Sequence, residues 1–201
     1  MESPSAYIPI DRRQAMAIGQ DLPERTQGAA LFADISGFTP LTEMLARTLG
    51  AQRGAEELTV YLNLIYDALI AELHRFKGSV INFSGDAITC WFEGDDGRRA
   101  IASALAMQQA MQQFASLEIE RGGMVSLAIK AAVACGPVRR FVVGDPQYTV
   151  VDAMAGVTLE HLAAAEHEAE KGEVIADSAA TEALGERLEI SAVTWRFCPM
   201  P

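Results

Sequence analysis

Two aspartates, Asp34 and Asp86, each follow an apolar run, and each lies close to a glycine. They belong to segments 32–39 (FADISGFT) and 82–89 (NFSGDAIT). Two carboxylates held at strand ends repel each other and are costly to desolvate where they meet, unless a divalent cation neutralises them. Hard oxygen ligands favour magnesium or manganese, and magnesium in proteins usually accompanies phosphate. The pair therefore predicts a metal site that serves a phosphorylated ligand.

The alternative for either aspartate alone is an ordinary turn, because Asp beside Gly often caps local backbone amides. Pro40 suits the first turn of a helix, and the free amides at a helix start bind anions. Thr39 would also cap this helix with Glu43 downstream, as in any well-capped helix. What favours a functional site is the combination of a metal carboxylate, a phosphate-binding turn and a second carboxylate in a hairpin.

Size and composition set the class of protein. The 201 residues are 50% hydrophobic, enough for one substantial core. The net charge of -11 argues against a nucleic-acid partner, since such binding needs clustered cations. The three cysteines lack metal-ligand spacing and indicate free thiols in a reducing compartment. With no apolar run long enough for a membrane span and no signal peptide, we expect no membrane association and a cytoplasmic location.

The hydrophobic periodicity predicts how the chain positions the two aspartates. We expect an N-terminal arm over residues 1–27, with a short helix at 11–18. The predicted elements that follow are a strand at 29–33, helices at 40–49 and 54–77, a hairpin of strands 80–83 and 87–92, and a helix at 98–117. In the long helix, one apolar stripe should face the core.

The second half of the chain predicts more strands than helices. Alternation over 124–135 predicts a long strand, and Gly136-Pro137 predicts a turn. The remaining predicted elements are strands at 138–143 and 148–151, a helix at 152–171, a strand at 173–176, a helix at 178–184, and a closing strand or hairpin at 188–197. The order predicts an α+β fold in which helices pack on a mainly antiparallel sheet.

This order and the two motifs resemble the class III nucleotidyl cyclase catalytic domain, which has a ferredoxin-like, palm-type fold. The segments that carry the resemblance are 32–39, 53–56 (RGAE), 83–87 (FSGDA) and 136–138 (GPV). The pattern is most similar to the first catalytic domain of the bicarbonate-responsive soluble adenylyl cyclases and their bacterial relatives. It covers residues 29–183, and we assign residues 28–201 to one cyclase homology domain.

The resemblance implies conversion of ATP to cyclic AMP and pyrophosphate, by attack of the ribose 3′-hydroxyl on the α-phosphate. Asp34 and Asp86 would hold two Mg²⁺ or Mn²⁺ ions, helped by the Ile35 carbonyl, in a two-metal displacement. The outer phosphates would lie on the backbone amides of Ser36, Gly37, Phe38 and Thr39. In this family the active site lies between two such domains, so each domain supplies half.

The sequence departs from the family pattern in the complementary half of the site. A lysine that reads adenine is expected on the strand just before the second metal aspartate, and Asn82 occupies that position; Thr149 is the other base-pocket position. An asparagine and, four residues later, a transition-state arginine are expected on the helix that follows the last central strand. Gly156 and Glu160 occupy those positions. Neither can stabilise developing phosphate charge, and this loss should cost orders of magnitude in rate.

These departures predict the metal-donating member of a paired cyclase, which needs a second cyclase domain in cis or in trans and is feeble as a homodimer. The alternative is a catalytically silent, nucleotide- or anion-binding regulatory domain. A diguanylate-forming enzyme on a related palm fold is disfavoured, because its Gly-Gly-Asp/Glu-Glu-Phe signature is absent from the sequence. ATP and GTP both stay open, since the residues that discriminate between them belong to the other half.

Three basic residues have two interpretations each. Lys130 lies in a predicted strand, opposite the apolar face, where it would either reach a phosphate or extend to solvent. Arg139 and Arg140 are neighbours in a strand, so one should point to each face. We expect solvated arginines here, with a triphosphate or a carboxylate as the less favoured partner.

Overall fold

The computed structural model describes residues 8–119, 122–145, 149–182, 184 and 195–197. The helices are α1 (Ile10–Ala17), α2 (Phe38–Leu49), α3 (Ala51–Arg75), α4 (Arg98–Ala110), α5 (Val157–Glu168) and α6 (Ser178–Glu182), with a 3-10 turn at Met111–Phe114. The strands are β1 (Arg25–Ser36), β2 (Ser79–Ser84), β3 (Ala87–Glu93), β4 (Leu117–Ile119), β5 (Gly123–Val125), β6 (Ala128–Asp145), β7 (Thr149–Ala155), β8 (Val174–Ala176) and β9 (Trp195–Phe197). None of these helices combines the length and hydrophobicity needed to cross a membrane.

The main sheet has the strand order β2-β3-β1-β6-β8-β9, and β7 pairs with the far end of β6. β1 lies at the centre, antiparallel to both β3 and β6. Only the short strands β8 and β9 add parallel pairs in the described part of the chain. The predicted α+β fold with a mainly antiparallel sheet is confirmed.

The two faces of the sheet bury different helices. Alternate β1 residues from Ala29 to Ile35 face a core that includes α2, α3 and α4. The apolar stripe predicted in the long helix packs in this core through seven residues: Leu58, Tyr61, Leu62, Ile65, Leu69, Leu73 and Phe76. On the opposite face, Leu162 and Ala165 of α5 pack over Ala30. The even-numbered β1 residues, including Asp34, thus belong to the α5 face.

The predicted turn at Gly136-Pro137 is wrong, because β6 runs unbroken through it. Gly136 pairs with Gly28, and Pro137 pairs with Gln27. Pro137 falls between the β8 pairing, which ends at Val133, and the β7 pairing, which begins at Arg139. A proline is tolerated where a strand has no partner on one side. Gly136 has φ 155°, and an added Cβ would lie 2.6 Å from Thr158 Oγ1, so the glycine provides space for α5.

Several predicted boundaries are also wrong. The helix predicted at 98–117 ends at residue 110, and residues 117–119 pair with residues 123–125 in a separate two-stranded sheet. The predicted strand at 124–135 is therefore interrupted at residues 126 and 127. Residues 152–155, predicted as helix, extend β7, and α5 begins at Val157, after its N-cap Gly156. Of the predicted closing strand, residues 195–197 are confirmed, and residues 188–194 lie outside the described part of the chain.

Candidate metal and phosphate site

The structure brings the two sequence-predicted aspartates to one end of the central strands. Asp34 pairs in register with Ala87 of β3, which directly follows Asp86. The Ile35 N–H donates a 3.1 Å hydrogen bond to the Asp86 carbonyl oxygen. The hairpin turn that carries Asp86 is therefore joined through the backbone to the end of β1.

The electrostatics of Asp34 indicate negative charge that the protein neutralises incompletely. Burial raises the pKa of its carboxyl above the usual range, and the charge of Asp86 raises it further. The Lys130 ammonium opposes this shift, while Glu166 adds to it. The site therefore favours an added cation.

Tyr66 of α3 fastens the hairpin, a role that the sequence did not predict. Its hydroxyl donates a 2.9 Å hydrogen bond to the Gly85 carbonyl oxygen, and its ring meets Phe83 edge-on at 5.3 Å between centroids. Burial, followed by the charges of Asp86 and Asp34, raises the pKa of this phenol to about 12. The sequence feature that could have indicated this role is a tyrosine next to Ile65, in the helix that leads to the hairpin. The hydroxyl of a half-buried tyrosine usually finds a hydrogen-bond partner.

The helix after the predicted phosphate-binding turn begins two residues earlier than expected. Helix α2 starts at Phe38 and not at Pro40, so Thr39 lies within the first turn and is not the cap. Gly37 takes the cap position with φ 95°, and an added Cβ would lie 2.4 Å from the Ser126 carbonyl oxygen. The N–H groups of the first helical turn have no partner within a helix, and together with the helix dipole they favour an anion.

The donor set fits magnesium or manganese better than a metal enclosed by protein. Among the described residues, no group of three or more His, Cys, Asp or Glu side chains forms a metal site. Two carboxylates beside a helix start leave most of a coordination sphere to other oxygens. Magnesium commonly binds in this way, through one or two carboxylates, several waters and substrate phosphates. Asp34 and Asp86, with the Ile35 carbonyl, would hold such an ion.

The predicted base-pocket positions lie on β2 and β7. Asn82 is exposed on β2, and Thr149 begins β7. Asn82 lines a cavity of about 470 Å³ together with Val150, the residue after Thr149. Ile10 and Arg13 of α1 form another wall of this cavity. The structure thus brings Asn82 and the start of β7 to one cavity, which the N-terminal arm partly closes.

The two positions predicted to lack transition-state groups lie at the start of α5. An added Cβ at Gly156 would lie 3.2 Å from the Pro137 carbonyl oxygen, and Glu160 is exposed in the first turn. Asp34 pairs with Lys130, seven residues before Pro137 along β6. An extended strand of that length spans roughly 23 Å. The start of α5 therefore lies far from the aspartate pair of the same chain.

The three basic residues differ from one another. Lys130 forms an ion pair with Glu166 of α5, and its Nζ lies 3.9 Å from Asp34 Oδ2. Arg139 is exposed and pairs with Glu24, as a solvated arginine should. For Arg140 the solvated interpretation is wrong, because its side chain is only 1% exposed. It bridges Asp11 of α1 and the equally buried Asp152 of β7.

The sequence is similar to adenylate cyclases. No protein-family model matches the chain. It is 27% identical over 149 residues to adenylate cyclase type 10 of Rattus norvegicus, and 26% identical over 153 residues to that of Homo sapiens. These alignments cover 70% and 72% of the chain. The chain spans only 9% of the length of either relative.

Solved structures with the same fold are cyclases. The adenylyl cyclase CyaB from P. aeruginosa superposes with a TM-score of 0.65 at 21% identity, over 80% of this chain and 81% of that chain. The guanylyl cyclase Cya2 gives 0.64 at 20% identity, over 84% and 83%. The guanylate cyclase domain of RhGC from Catenaria anguillulae, in complex with GTP, gives 0.64 at 17% identity, over 85% and 92%. The predicted resemblance is confirmed, and the chain has the class III nucleotidyl cyclase fold.

Proposed function

We propose that this cyclase-fold chain is the metal-donating half of a two-domain nucleotidyl cyclase site that converts ATP to cyclic AMP and pyrophosphate. Its partner is a second cyclase domain that supplies the base-reading and transition-state groups. GTP is the alternative substrate. The chain alone, or as a homodimer, is feeble, because no copy carries the complementary groups.

Some residues of this half would bind the metal ions, and others would position the phosphates and the hairpin. Asp34 and Asp86 bind the divalent ions, with the Ile35 carbonyl as a further oxygen donor. Bound Mg²⁺ or Mn²⁺ at this place would acidify the ribose 3′-hydroxyl and neutralise the triphosphate. The amides from Ser36 to Thr39 orient the outer phosphates at the start of α2. Tyr66 keeps the Asp86 hairpin against α3 through its hydrogen bond to Gly85.

The observation that carries this proposal is the separation of the two half-sites along β6. The aspartate pair lies beside Lys130, and the start of α5 lies beside Pro137, roughly 23 Å away in an extended strand. One chain cannot bring both ends to a single phosphate. A second domain is needed, and Gly156 and Glu160 disqualify another copy of this chain.

An exposed apolar hairpin supports the need for a partner. The ends of β6 and β7 expose five large apolar side chains by 38% to 53%: Phe141, Val142, Val143, Val150 and Val151. The two strands pair directly here, with Val143 opposite Val151. Clustered exposed side chains of this kind are typical of protein-protein contacts. A partner domain would bury them.

Calorimetric titration tests the metal and nucleotide assignment. The chain is titrated with a non-hydrolysable ATP analogue in the presence of Mg²⁺, and again in the presence of EDTA. We expect binding that requires the metal and is lost in the Asp86→Asn variant. The Asp96→Asn variant is a matched control, because Asp96 is exposed and lies outside the site.

The same titration separates the proposal from its alternative. Nucleotide affinity that is unchanged both by EDTA and by Asp86→Asn would refute the metal-donating role and favour a silent regulatory domain. Repeating it with a GTP analogue compares the two nucleotides. Equal affinities would agree with base recognition by the partner domain, since Asn82 has replaced the lysine that reads the base in the family.

A further inference from the structure

Lys130 lies between two carboxylates that belong to different elements. It stands directly opposite Asp34 in the pairing of β1 with β6. Its Nζ lies 3.9 Å from Asp34 Oδ2 and donates a hydrogen bond to Glu166 Oε1 on α5. The three side chains are 24%, 26% and 31% exposed for Lys130, Asp34 and Glu166. The ammonium is thus near the metal carboxylate and is held by a carboxylate that is not a proposed metal ligand.

This arrangement gives Lys130 two separate electrostatic roles. Without a divalent ion, its charge offsets part of the repulsion between Asp34 and Asp86. With a divalent ion on Asp34, the same ammonium becomes a like charge a few ångströms away, which opposes binding. A second carboxylate beside Lys130 would reduce this repulsion by pairing with the ammonium. Glu166 is that carboxylate.

We infer that Glu166 is a positioning residue that holds Lys130 away from Asp34 and so leaves Asp34 open to a divalent ion. This inference rests on the proposed metal-donating role of Asp34. Lys130 already donates a hydrogen bond to Glu166 Oε1, while its Nζ lies 3.9 Å from Asp34 Oδ2, so its closer partner is Glu166. Without Glu166, Lys130 would pair with Asp34 and compete with the metal.

Binding of Mn²⁺ alone to the whole chain tests this, with free Mn²⁺ measured by electron paramagnetic resonance at fixed ionic strength. Glu166→Gln should weaken binding about two- to fivefold, the range for partly exposed charge pairs. Lys130→Met should tighten binding by a similar factor, because the competing cation is gone. Glu168→Gln, an exposed position on the same helix, removes an equal charge and should change binding less than Glu166→Gln.

The double variant decides whether Glu166 acts through Lys130. In the Lys130→Met background, Glu166→Gln should have almost no further effect. An equal weakening in both backgrounds would overturn the inference, because Glu166 would then act only by its charge. No weakening in the wild-type background would also overturn it. If Mn²⁺ binding is the same in Asp34→Asn as in wild type, the metal assignment itself fails, and the inference fails with it.

Discussion

The buried Arg140-Asp152 pair should be the most sensitive electrostatic element of the fold. Both side chains are 1% exposed, and Arg140 also bridges to Asp11 in α1. The substitution Arg140→Met keeps the apolar part of the side chain and removes its charge. Asp152 is then left buried, with Arg12 as its remaining ionic partner. Its Oδ1 has no hydrogen-bond partner among the described residues even before the change.

Breaking a buried ion pair by removing one member typically costs about 3–5 kcal/mol, because the other charge stays desolvated. That is a large share of a domain stability of roughly 5–15 kcal/mol. Replacing both members by apolar residues is often neutral. The double variant Arg140→Met/Asp152→Leu should therefore recover at least about 2 kcal/mol of the loss. The neighbouring Arg139→Met is the matched control and should cost less than about 1 kcal/mol, because its pair is exposed.

Urea unfolding followed by circular dichroism measures these free energies. Limited proteolysis should also cut α1 faster in Arg140→Met, since Asp11 loses its bridge to β6. A loss under about 1 kcal/mol in Arg140→Met, or a double variant less stable than the single one, would contradict a dominant role of this buried pair. Either result would mean that water or Arg12 already compensates the Asp152 charge.

Three further changes test the site. Asp34→Asn should stabilise the metal-free protein increasingly as pH rises through the raised pKa of Asp34, because the wild-type carboxylate becomes charged in that range. The same variant should lose the stabilisation that Mn²⁺ gives to wild type. Thermal melts across pH measure both effects. Tyr66→Phe should cost about 1 kcal/mol in urea unfolding and weaken Mn²⁺ binding, because the Gly85 carbonyl loses its donor. Gly37→Ala should cost about 1–3 kcal/mol or more, through its positive φ and its contact with the Ser126 carbonyl. Unchanged melts in Asp34→Asn, unchanged Mn²⁺ binding in Tyr66→Phe or unchanged unfolding in Gly37→Ala would contradict the role given to that residue.

The sequence predicted those parts of the fold that depend on local periodicity. The apolar stripe of α3 and the hairpin around Asp86 are confirmed, because burial on one face of an element leaves a visible pattern. The Gly136-Pro137 turn is wrong because turn propensity is local, while pairing with β1 and contact with Thr158 are not.

The candidate site was predictable only in part, for a related reason. Asp34 and Asp86 stood out because each has a motif around it. Glu166 and Tyr66 have no motif, and their roles come from packing between elements distant in sequence. Arg140 was misjudged because its partners belong to other elements: Asp11 lies in α1, and Asp152 lies in β7.

The proposed function assigns the metal half of a shared site to this chain and the other half to a partner domain. A complementation assay tests it by mixing wild-type chain with a second version that carries Asn82→Lys, Gly156→Asn and Glu160→Arg but has lost its metal half through Asp34→Asn. Cyclic AMP formed from ATP and Mn²⁺ is measured for each version and for the mixture. We predict turnover in the mixture well above either version alone. Robust turnover by the wild-type chain alone, lost in Asp34→Ala, would show that one chain type supplies both halves.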